Sequence, residues 1–313
     1  MVRYIGKVLL DDTFYPGWDL HTDEAEDEIL EVVSSEPEEA YARVIGERKK
    51  WSLLYHLSHV RQNLVEWLPI TKEETVLEVD AGCGVFTGVL ADKAKSVRCL
   101  EVSGKQSLIN ATRNQKREQI EIWNWEFQKA VEKLSEYNAQ YDWIVLTEGL
   151  AGAVACGEEA QEREPYPALL RQLGGFLKKN GRIVFAADNR LGLKYFAGCA
   201  PEGGGRYFEG IEGWTKEQEA RSFSRPELER ICRTAGFEDL EFYYPYPDRI
   251  LPMSVYSDAY LPKTGELRDN RKNFDRERYI LFDEARAFDR ILEDGLFPVF
   301  ANAFLVIARQ AGQ

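Results

Sequence analysis

Short apolar runs and amphipathic stretches take turns along most of this chain. The runs fall at residues 75–79, 97–101, 120–123, 142–147 and 182–187, and the stretches at about 85–94, 105–116, 127–135 and 165–179. A strand-length run followed by a helical period, repeated, predicts a parallel sheet with helices on both faces. Asn180-Gly181 is expected to close the helix before the fifth strand. Ser224-Arg225-Pro226-Glu227 has the form of a helix start, with Ser224 at the N-cap and Glu227 three residues on, and Gly236 stops that helix. A sixth strand follows at 240–244 and a last one at 301–309. Between these two lie about 55 residues, a length that implies function or internal structure, and a helix is predicted from Asp283 to Glu293.

Ahead of this alternation, residues 3–10 read as one strand and Tyr15-Pro16-Gly17 as a turn. Residues 24–33 and 38–50 read as helices. Tyr55 to Trp67 reads as another, with Leu57, Val60, Leu64 and Trp67 on one face and Pro69 ending it. Gly198 to Gly213 holds too many glycines for a helix. The expected division is an N-terminal extension, 1–70, and a core, 71–313, with insertions at about 191–223 and 248–300.

The chain has 313 residues, 44% hydrophobic and 30% charged, enough for a full core. No run approaches the roughly 18 apolar residues of a membrane span, and no secretory leader is visible. Five widely scattered cysteines without metal-ligand spacing suit reduced thiols, so a cytoplasmic location is expected. The net charge of −13 is concentrated: Asp11 to Ala40 carries twelve Asp or Glu and no Lys or Arg. That segment either attracts a basic partner or is a solvated helix face. No basic stripe exists to hold a long nucleic acid.

The chemistry centres on Val76-Leu77-Glu78-Val79-Asp80-Ala81-Gly82-Cys83-Gly84, an apolar strand breaking into a small-residue turn before a helix. The next strand, Val97 to Leu100, ends in Glu101, 21 residues after Asp80. Strand, glycine turn and helix, then an acid at that spacing, point to a nucleoside-containing cofactor whose ribose meets the acid.

This pattern resembles the class I S-adenosylmethionine-dependent methyltransferases. The resemblance implies a Rossmann-like sheet of seven strands whose last strand is antiparallel and inserted beside the sixth. It implies S-adenosylmethionine over residues 80–88, with Glu78, Asp80, Gly82 and Gly84 in the first motif. Glu101 would take the ribose, Asn124 the adenine, and Glu148 would orient cofactor or substrate. Tyr55-His56-Leu57-Ser58, Asp188 to Gly198, Phe208 to Gly213 and Tyr244 to Asp248 resemble a bacterial subgroup linked to surface-glycan and glycosyltransferase loci. A small-molecule or glycan acceptor, nucleotide- or lipid-linked, is what that resemblance implies. Two positions depart from the family: Asp80 stands where glycine is usual, and Trp123 where a small residue is usual. A carboxylate at 80 near the cofactor's own carboxylate is expected to weaken binding by one to three orders of magnitude, from about 1–4 kcal/mol of repulsion at about 4 Å.

Methyl transfer from a sulfonium is an in-line displacement, so the protein supplies mainly proximity and alignment. Segments after strands four and five reach the carboxyl edge of the sheet, where ligands bind. Glu148 there is either a ligand-orienting acid or a helix cap. Asp188, Asn189 and Arg190 either line the acceptor pocket or form a turn. His56, Glu148 and Asn189 are the catalytic candidates; the base role of His56 comes from the resemblance, and a packed histidine is the other reading. His56 and His59 lack a partner with zinc spacing. Arg190, Lys194 and Arg206 either bind a phosphate or are solvated loop charges. Phe242, Tyr243, Tyr244 and Tyr246 either stack on a sugar or fill the core. Two rival readings remain: a methyltransferase-fold subunit that has lost cofactor binding, motivated by Asp80, Trp123 and the acidic segment, and a nicotinamide-dependent oxidoreductase, for which a second βαβ half is not visible.

Overall fold

The alternating runs become the centre of one ten-stranded sheet in the computed structural model, which describes residues 1–15, 17, 24–146, 148–155, 164–201, 206–213, 222–270 and 278–310. The strands are β1 (Val2–Ile5), β2 (Val8–Asp11), β3 (Thr75–Val79), β4 (Ser96–Glu101), β5 (Ile120–Asn124), β6 (Tyr141–Leu146), β7 (Leu177–Asp188), β8 (Phe237–Tyr246), β9 (Ser254–Ser257) and β10 (Ala303–Gln310). Their order is β1-β2-β5-β4-β3-β6-β7-β10-β8-β9. The chain steps outward from β3 through β4 to β5, all parallel, then returns to the other side of β3 for β6 and β7. The reversal puts the topological switch point at the carboxyl ends of β3 and β6, the edge at which open α/β sheets bind ligands. β10 lies antiparallel between β7 and β8, with Val306 opposite both Phe185 and Phe242. The seven core strands and the inserted antiparallel last strand are thus as expected, and the sheet is larger by β1 and β2 at one edge and β9 at the other.

Helices cover the sheet: α1 (Glu24–Ser35), α2 (Tyr41–Arg48), α3 (Trp51–Leu57), α4 (Thr87–Lys93), α5 (Gly104–Arg113), α6 (Phe127–Glu136), α7 (Leu150–Ala155), α8 (Pro165–Gly174), α9 (Leu193–Phe196), α10 (Glu209–Glu212), α11 (Arg225–Thr234), α12 (Glu284–Glu293) and α13 (Phe297–Phe300). Separate apolar clusters fill the two faces, around Leu77 and Ile144 on one and Val76 and Val145 on the other, as period-two side chains of buried strands must. A third cluster joins α1, α2 and α3 to Cys83 and Ile109, so the N-terminal helices pack directly on the glycine turn and α5. No helix among the described residues is long and apolar enough to cross a membrane. Cys83, Cys99, Cys199 and Cys232 are buried free thiols, while Cys156, Pro16 and part of the glycine-rich stretch lie outside the described residues.

Several boundaries differ from expectation for local reasons. Residues 3–10 are a hairpin rather than one strand: Gly6 turns the chain at φ +59°, and a Cβ there would lie 2.4 Å from the Gln115 carbonyl oxygen. The predicted helix 55–67 breaks at Ser58, which is extended and accepts a hydrogen bond from Val60 N, so a 3-10 turn from His59 to Leu64 replaces its second half. Helix α8 ends at Gly174, and β7 begins at Leu177. Asn180, at φ 67°, marks a register shift within that strand rather than the end of a helix. Ser224 does precede α11, but its side chain makes no capping bond and instead accepts from Arg190. Asp283 caps α12 through Ala285 N and Arg286 N.

The acidic N-terminal segment is neutralised from within the molecule. Arg48 and Lys50 pair with Glu28, Arg48 also with Glu31, Arg43 with Glu36, Lys105 with Asp27, and Arg113 and Arg117 with Glu38. Of the two readings offered for it, the described part fits the solvated helix face: Asp27 and Glu31 are exposed, while Ile29, Val32 and Val33 dock α1 beside the glycine turn.

Candidate functional site

The turn after β3 is built from three residues in the left-handed region, Asp80 at φ 58°, Gly82 at 53° and Gly84 at 74°. Gly84 has a packing reason. A Cβ on it would sit 2.2 Å from Asn110 Oδ1, so glycine lets α5 close against the turn. Gly82 has no such neighbour. Its nearest side-chain atoms would be Gln106 Oε1 and Glu148 Oε1, each at an ordinary contact distance of 3.7 Å from an added Cβ, so its positive φ rather than crowding is what asks for glycine. Gly82 N donates to Glu101 Oε2 at 2.7 Å and Ser103 N to Glu101 Oε1 at 2.8 Å. The acid at the end of β4 therefore holds the turn of β3. With about four acceptor sites on its two oxygens, it keeps capacity for further donors. Asn124, at the end of β5, donates to the Glu101 carbonyl at 3.1 Å and completes this corner.

Glu78 lies beneath the turn rather than on its surface. It is fully buried, and Oε2 accepts from Thr87 Oγ1 at 2.6 Å and Cys99 Sγ at 3.3 Å, while Oε1 has no hydrogen-bond partner among the described residues. The expectation that it contacts cofactor gives way to a role fastening β3 to α4. Burial pushes its carboxyl up to about 7, outweighing the Thr87 and Cys99 hydrogen bonds. A carboxyl raised in the folded state binds its proton more tightly there than in the unfolded chain. Its contribution is then fully present below the ordinary value of 4.5 and lost as pH rises through about 7. Glu78→Gln is expected to stabilise the protein relative to the parent by roughly 2–4 kcal/mol at pH 8 and by little at pH 4, read from urea unfolding at both. A gap that is unchanged between the two pH values defeats this assignment.

Glu148 follows β6 and faces the same turn. Tyr55 OH donates to it at 2.6 Å, and Arg61 Nη2 reaches both its oxygens at 3.0 Å. Arg61 is 1% exposed, lies over the Tyr55 ring at 4.0 Å and donates to the Tyr55 carbonyl at 3.1 Å. The break at Ser58 makes this geometry: it folds the 3-10 turn back over α3 and brings residue 61 over residue 55. Burial raises the Glu148 carboxyl, but the Arg61 charge and the Tyr55 hydroxyl outweigh it and hold the group below the usual carboxylate range. Burial raises Asp80 and Glu101, and repulsion adds to it: Glu148 acts on Asp80, and Asp80 on Glu101. His56 is half-buried with its ring 4.8 Å from that of Tyr55, and its charge is among those acting on Glu148, so it lies beside this network.

The residues expected around the acceptor divide. Asp188, at the end of β7, accepts from Arg249 Nε at 2.8 Å and Lys194 Nζ at 3.3 Å, and Arg249 also donates to the Glu148 carbonyl at 3.2 Å. These cations hold Asp188 below its ordinary range despite burial. Asp188 and Lys194 are thus joined to the Glu148 edge through Arg249. Asn189 is not available to a ligand. It is fully buried, donates to the Val299 and Ala301 carbonyls at 2.8 and 2.7 Å, and accepts from Leu191 N at 3.0 Å. Its amide clamps the approach to β10, which corrects the expectation that it orients an acceptor. Arg190 turns to Glu227 at 3.3 Å, and Arg206 is exposed. Tyr246 belongs to the core and accepts from Asp269 N at 2.7 Å, so the core reading of the 242–246 aromatics stands. The unusual Trp123 stacks on Trp125 at 4.3 Å and 14°, beneath the Arg98 guanidinium.

Sequence reasoning gave no role to Arg61, Tyr55, Arg249 or Glu26. Glu26 of α1 is buried and accepts from Gln106 Nε2 at 2.8 Å, the side chain whose oxygen faces Gly82. A signal existed for one of them: a buried acid such as Glu148 needs a cationic partner, and Arg61 is the one arginine between α3 and the turn.

No family model matches the sequence, and no curated protein matches it. Among solved structures the chain is similar to a SAM-dependent methyltransferase from Archaeoglobus fulgidus, at 14% identity and a TM-score of 0.46, covering 82% of this chain and 96% of that one. It is also similar to a SAM-dependent methyltransferase from Thermotoga maritima, at 14% identity, TM-score 0.45, and 87% and 99% coverage. A third is DhpI in complex with SAH, at 12% identity, TM-score 0.42, and 94% and 100% coverage.

Proposed function

We propose that this chain transfers a methyl group from S-adenosylmethionine to a small-molecule or glycan acceptor. The observation that carries the reading is the glycine turn at the sheet's switch point, with Gly82 N bonded to the strand-end acid Glu101. The residues present fit the cofactor. Gly82 keeps backbone without a side chain against Gln106 and Glu148, and the Glu101 carboxylate retains acceptor capacity for ribose hydroxyls. Glu101 and Asn124 would hold the nucleoside, the turn 80–84 the methionine end, and Glu148 with Tyr55 and Arg61 the wall opposite. The cofactor, when bound, would supply an electrophilic methyl carbon, the C–S electron pair staying on sulfur as the acceptor lone pair forms the new bond. Tyr55, Arg61 and Glu148 form a mutually hydrogen-bonded side to the site, which suits alignment more than proton transfer. His56 beside them is the group placed to receive an acceptor proton. The acceptor would enter by the edge formed by Asp188, Lys194 and Arg249. The choice of a glycan acceptor follows the motif resemblance of residues 188–198 and 244–248.

Titration calorimetry of the full chain with S-adenosylmethionine tests the reading. Saturable 1:1 binding in the micromolar range is expected. A folded protein that shows no heat and no thermal shift with the cofactor is instead a methyltransferase-fold subunit without donor binding.

A further inference from the structure

The segment after the 3-10 turn meets the edge of the sheet at β8 and β9, and Asn63 Nδ2 fastens the two by donating to the Pro252 carbonyl at 2.8 Å. Between them lies a groove of about 520 Å³, lined by Asn63, Glu66 and Trp67 from the first segment and by Tyr243, Met253 and Val255 from the second. That volume is ordinary for a small-ligand site, roughly 300–1,000 Å³. Trp67 is 38% exposed, and its ring meets that of Tyr243 at 4.4 Å and 45°. The polar atoms of both rings have other partners. Trp67 Nε1 donates to the Leu64 carbonyl at 3.1 Å, and Tyr243 OH to Glu241 Oε2 at 2.8 Å. What the pair leaves to the groove is ring surface. Hydrogen-bonding capacity comes from its neighbours. Glu66 is exposed, and its carboxylate accepts no hydrogen bond among the described residues; the side-chain oxygen of Asn63 is likewise unengaged there. Glu66 is also the one charged lining residue among the described residues, so the groove offers no cation to a phosphate or carboxylate.

An aromatic platform beside an open carboxylate and an open amide oxygen suits a neutral sugar ring. The C–H face of a pyranose is slightly positive and lies against the negative face of an aromatic ring, while its hydroxyls donate to carboxylate and amide oxygens. A wholly apolar ligand would strip water from Glu66 without replacing it, and an anionic one would meet its charge. We propose that this groove is a saccharide subsite, which stacks a neutral pyranose on Trp67 and bonds its hydroxyls to Glu66 and Asn63. The proposal rests on the glycan-acceptor reading above and extends it to an acceptor of more than one sugar unit, with a neighbouring unit taking the methyl group. The subsite is placed for this. Asn63 is two residues from Arg61 and Met253 four from Arg249, the two cations bonded to Glu148. At no more than about 3.6 Å per residue, the groove begins within about 7–14 Å of them, a span that a short saccharide covers.

The probes are neutral trisaccharides of glucose, galactose, mannose and N-acetylglucosamine, with a phosphorylated and a sialylated trisaccharide beside them. Binding to the full chain is followed through the tryptophan indole N–H signals and by ligand saturation-transfer titration. The chain has seven tryptophans, and Trp67→Phe identifies the Trp67 signal by its loss. At least one neutral trisaccharide should shift that signal saturably, and the anionic ones should bind more weakly. Trp67→Ala is expected to raise the saccharide Kd about tenfold, equivalent to about 1.4 kcal/mol, and Trp67→Phe, which keeps a ring face, to restore most of it. Trp67 also packs on Tyr243, so Glu66→Gln at an exposed position is the second variant, expected to keep the parent Tm and to raise Kd about fivefold. The Kd for S-adenosylmethionine is measured on the same samples. A parent that binds this donor but no neutral saccharide, or a saccharide Kd unmoved by both Trp67→Ala and Glu66→Gln, overturns the subsite and leaves the methyl-transfer reading standing. A parent that binds a neutral saccharide at Trp67 but no donor supports the subsite and overturns that reading. A Trp67 signal that shifts with protein concentration alone puts a second copy of the chain in the groove and overturns the proposal.

Discussion

Arg61→Ala is expected to cost about 3–5 kcal/mol of stability, because it strands the buried Glu148 charge without its cation. The guanidinium is 1% exposed and bonds both Glu148 oxygens, the Tyr55 carbonyl and the Tyr55 ring face at once. Breaking a buried pair by removing one partner leaves an uncompensated charge, whereas removing both leaves a polar but neutral site. Arg61→Met with Glu148→Gln should therefore recover most of the loss. The sign with pH is fixed by the depressed Glu148 carboxyl. In the parent its contribution is present above the ordinary value of 4.5 and is lost as pH falls through its lowered value. In Arg61→Ala the same acid is stabilised by protonation, so the gap between parent and variant should narrow as pH drops. Urea unfolding of the three proteins at pH 7.5 and pH 4 measures this. A single-variant loss under 1 kcal/mol, or a double variant no better than the single, removes Arg61 from its place as the site's structural cation.

What the sequence made legible is what is local. The strand runs at 75–79, 97–101 and 120–123 recur as β3, β4 and β5 within a residue, because short apolar segments buried on both sides carry their own signal. The order of β7, β10 and β8 was accessible through resemblance and not through period, since pairing partners far apart in sequence leave no local mark. Nothing local marks the turn at Gly6, because it packs on Gln115, a contact over a hundred residues away. The helix 55–67 has the right apolar spacing, yet a serine side chain bonding Val60 N competed with the helix and won.

The site divides in the same way. Gly82 and Glu101 are 19 residues apart on adjacent strands, and the turn-and-acid spacing was enough to join them. Arg61 reaches Glu148 across 87 positions and Arg249 reaches Asp188 across 61, so neither partner was visible. Asn189 shows the opposite error. Its place at the end of β7 was read correctly, but position at a ligand-binding edge does not say whether an amide is still available. Two carbonyls 110 and 112 residues on had already taken it. The acidic segment was read from its own composition, and its cations on α2 and α5 lay outside that window.

Glu101→Ala carries the largest expected effect on binding. If the carboxylate receives two ribose hydroxyls, each bond to a charged group contributes about 1.5–3 kcal/mol, so S-adenosylmethionine affinity should fall by about two to four orders of magnitude. The substitution also removes the acceptor for Gly82 N and Ser103 N, so a loosened turn could mimic lost contact. Glu101→Gln separates the two, because it keeps an acceptor and the shape while losing charge. Its affinity and its Tm should both lie between those of the parent and Glu101→Ala, because the amide oxygen keeps one backbone donor and the amide nitrogen faces the other. Proton linkage gives an independent check. Burial and Asp80 raise the Glu101 carboxyl in the free protein, and hydroxyl donors favour its ionised form. Binding should then release protons, and affinity should rise with pH until the free-protein group is ionised. Calorimetry in two buffers of different ionisation enthalpy counts those protons directly. The parent should release a fraction of a proton near neutral pH, and Glu101→Gln distinctly less. Equal affinity in parent and Glu101→Ala, or the same proton release in parent and Glu101→Gln, would place the ribose somewhere other than the end of β4.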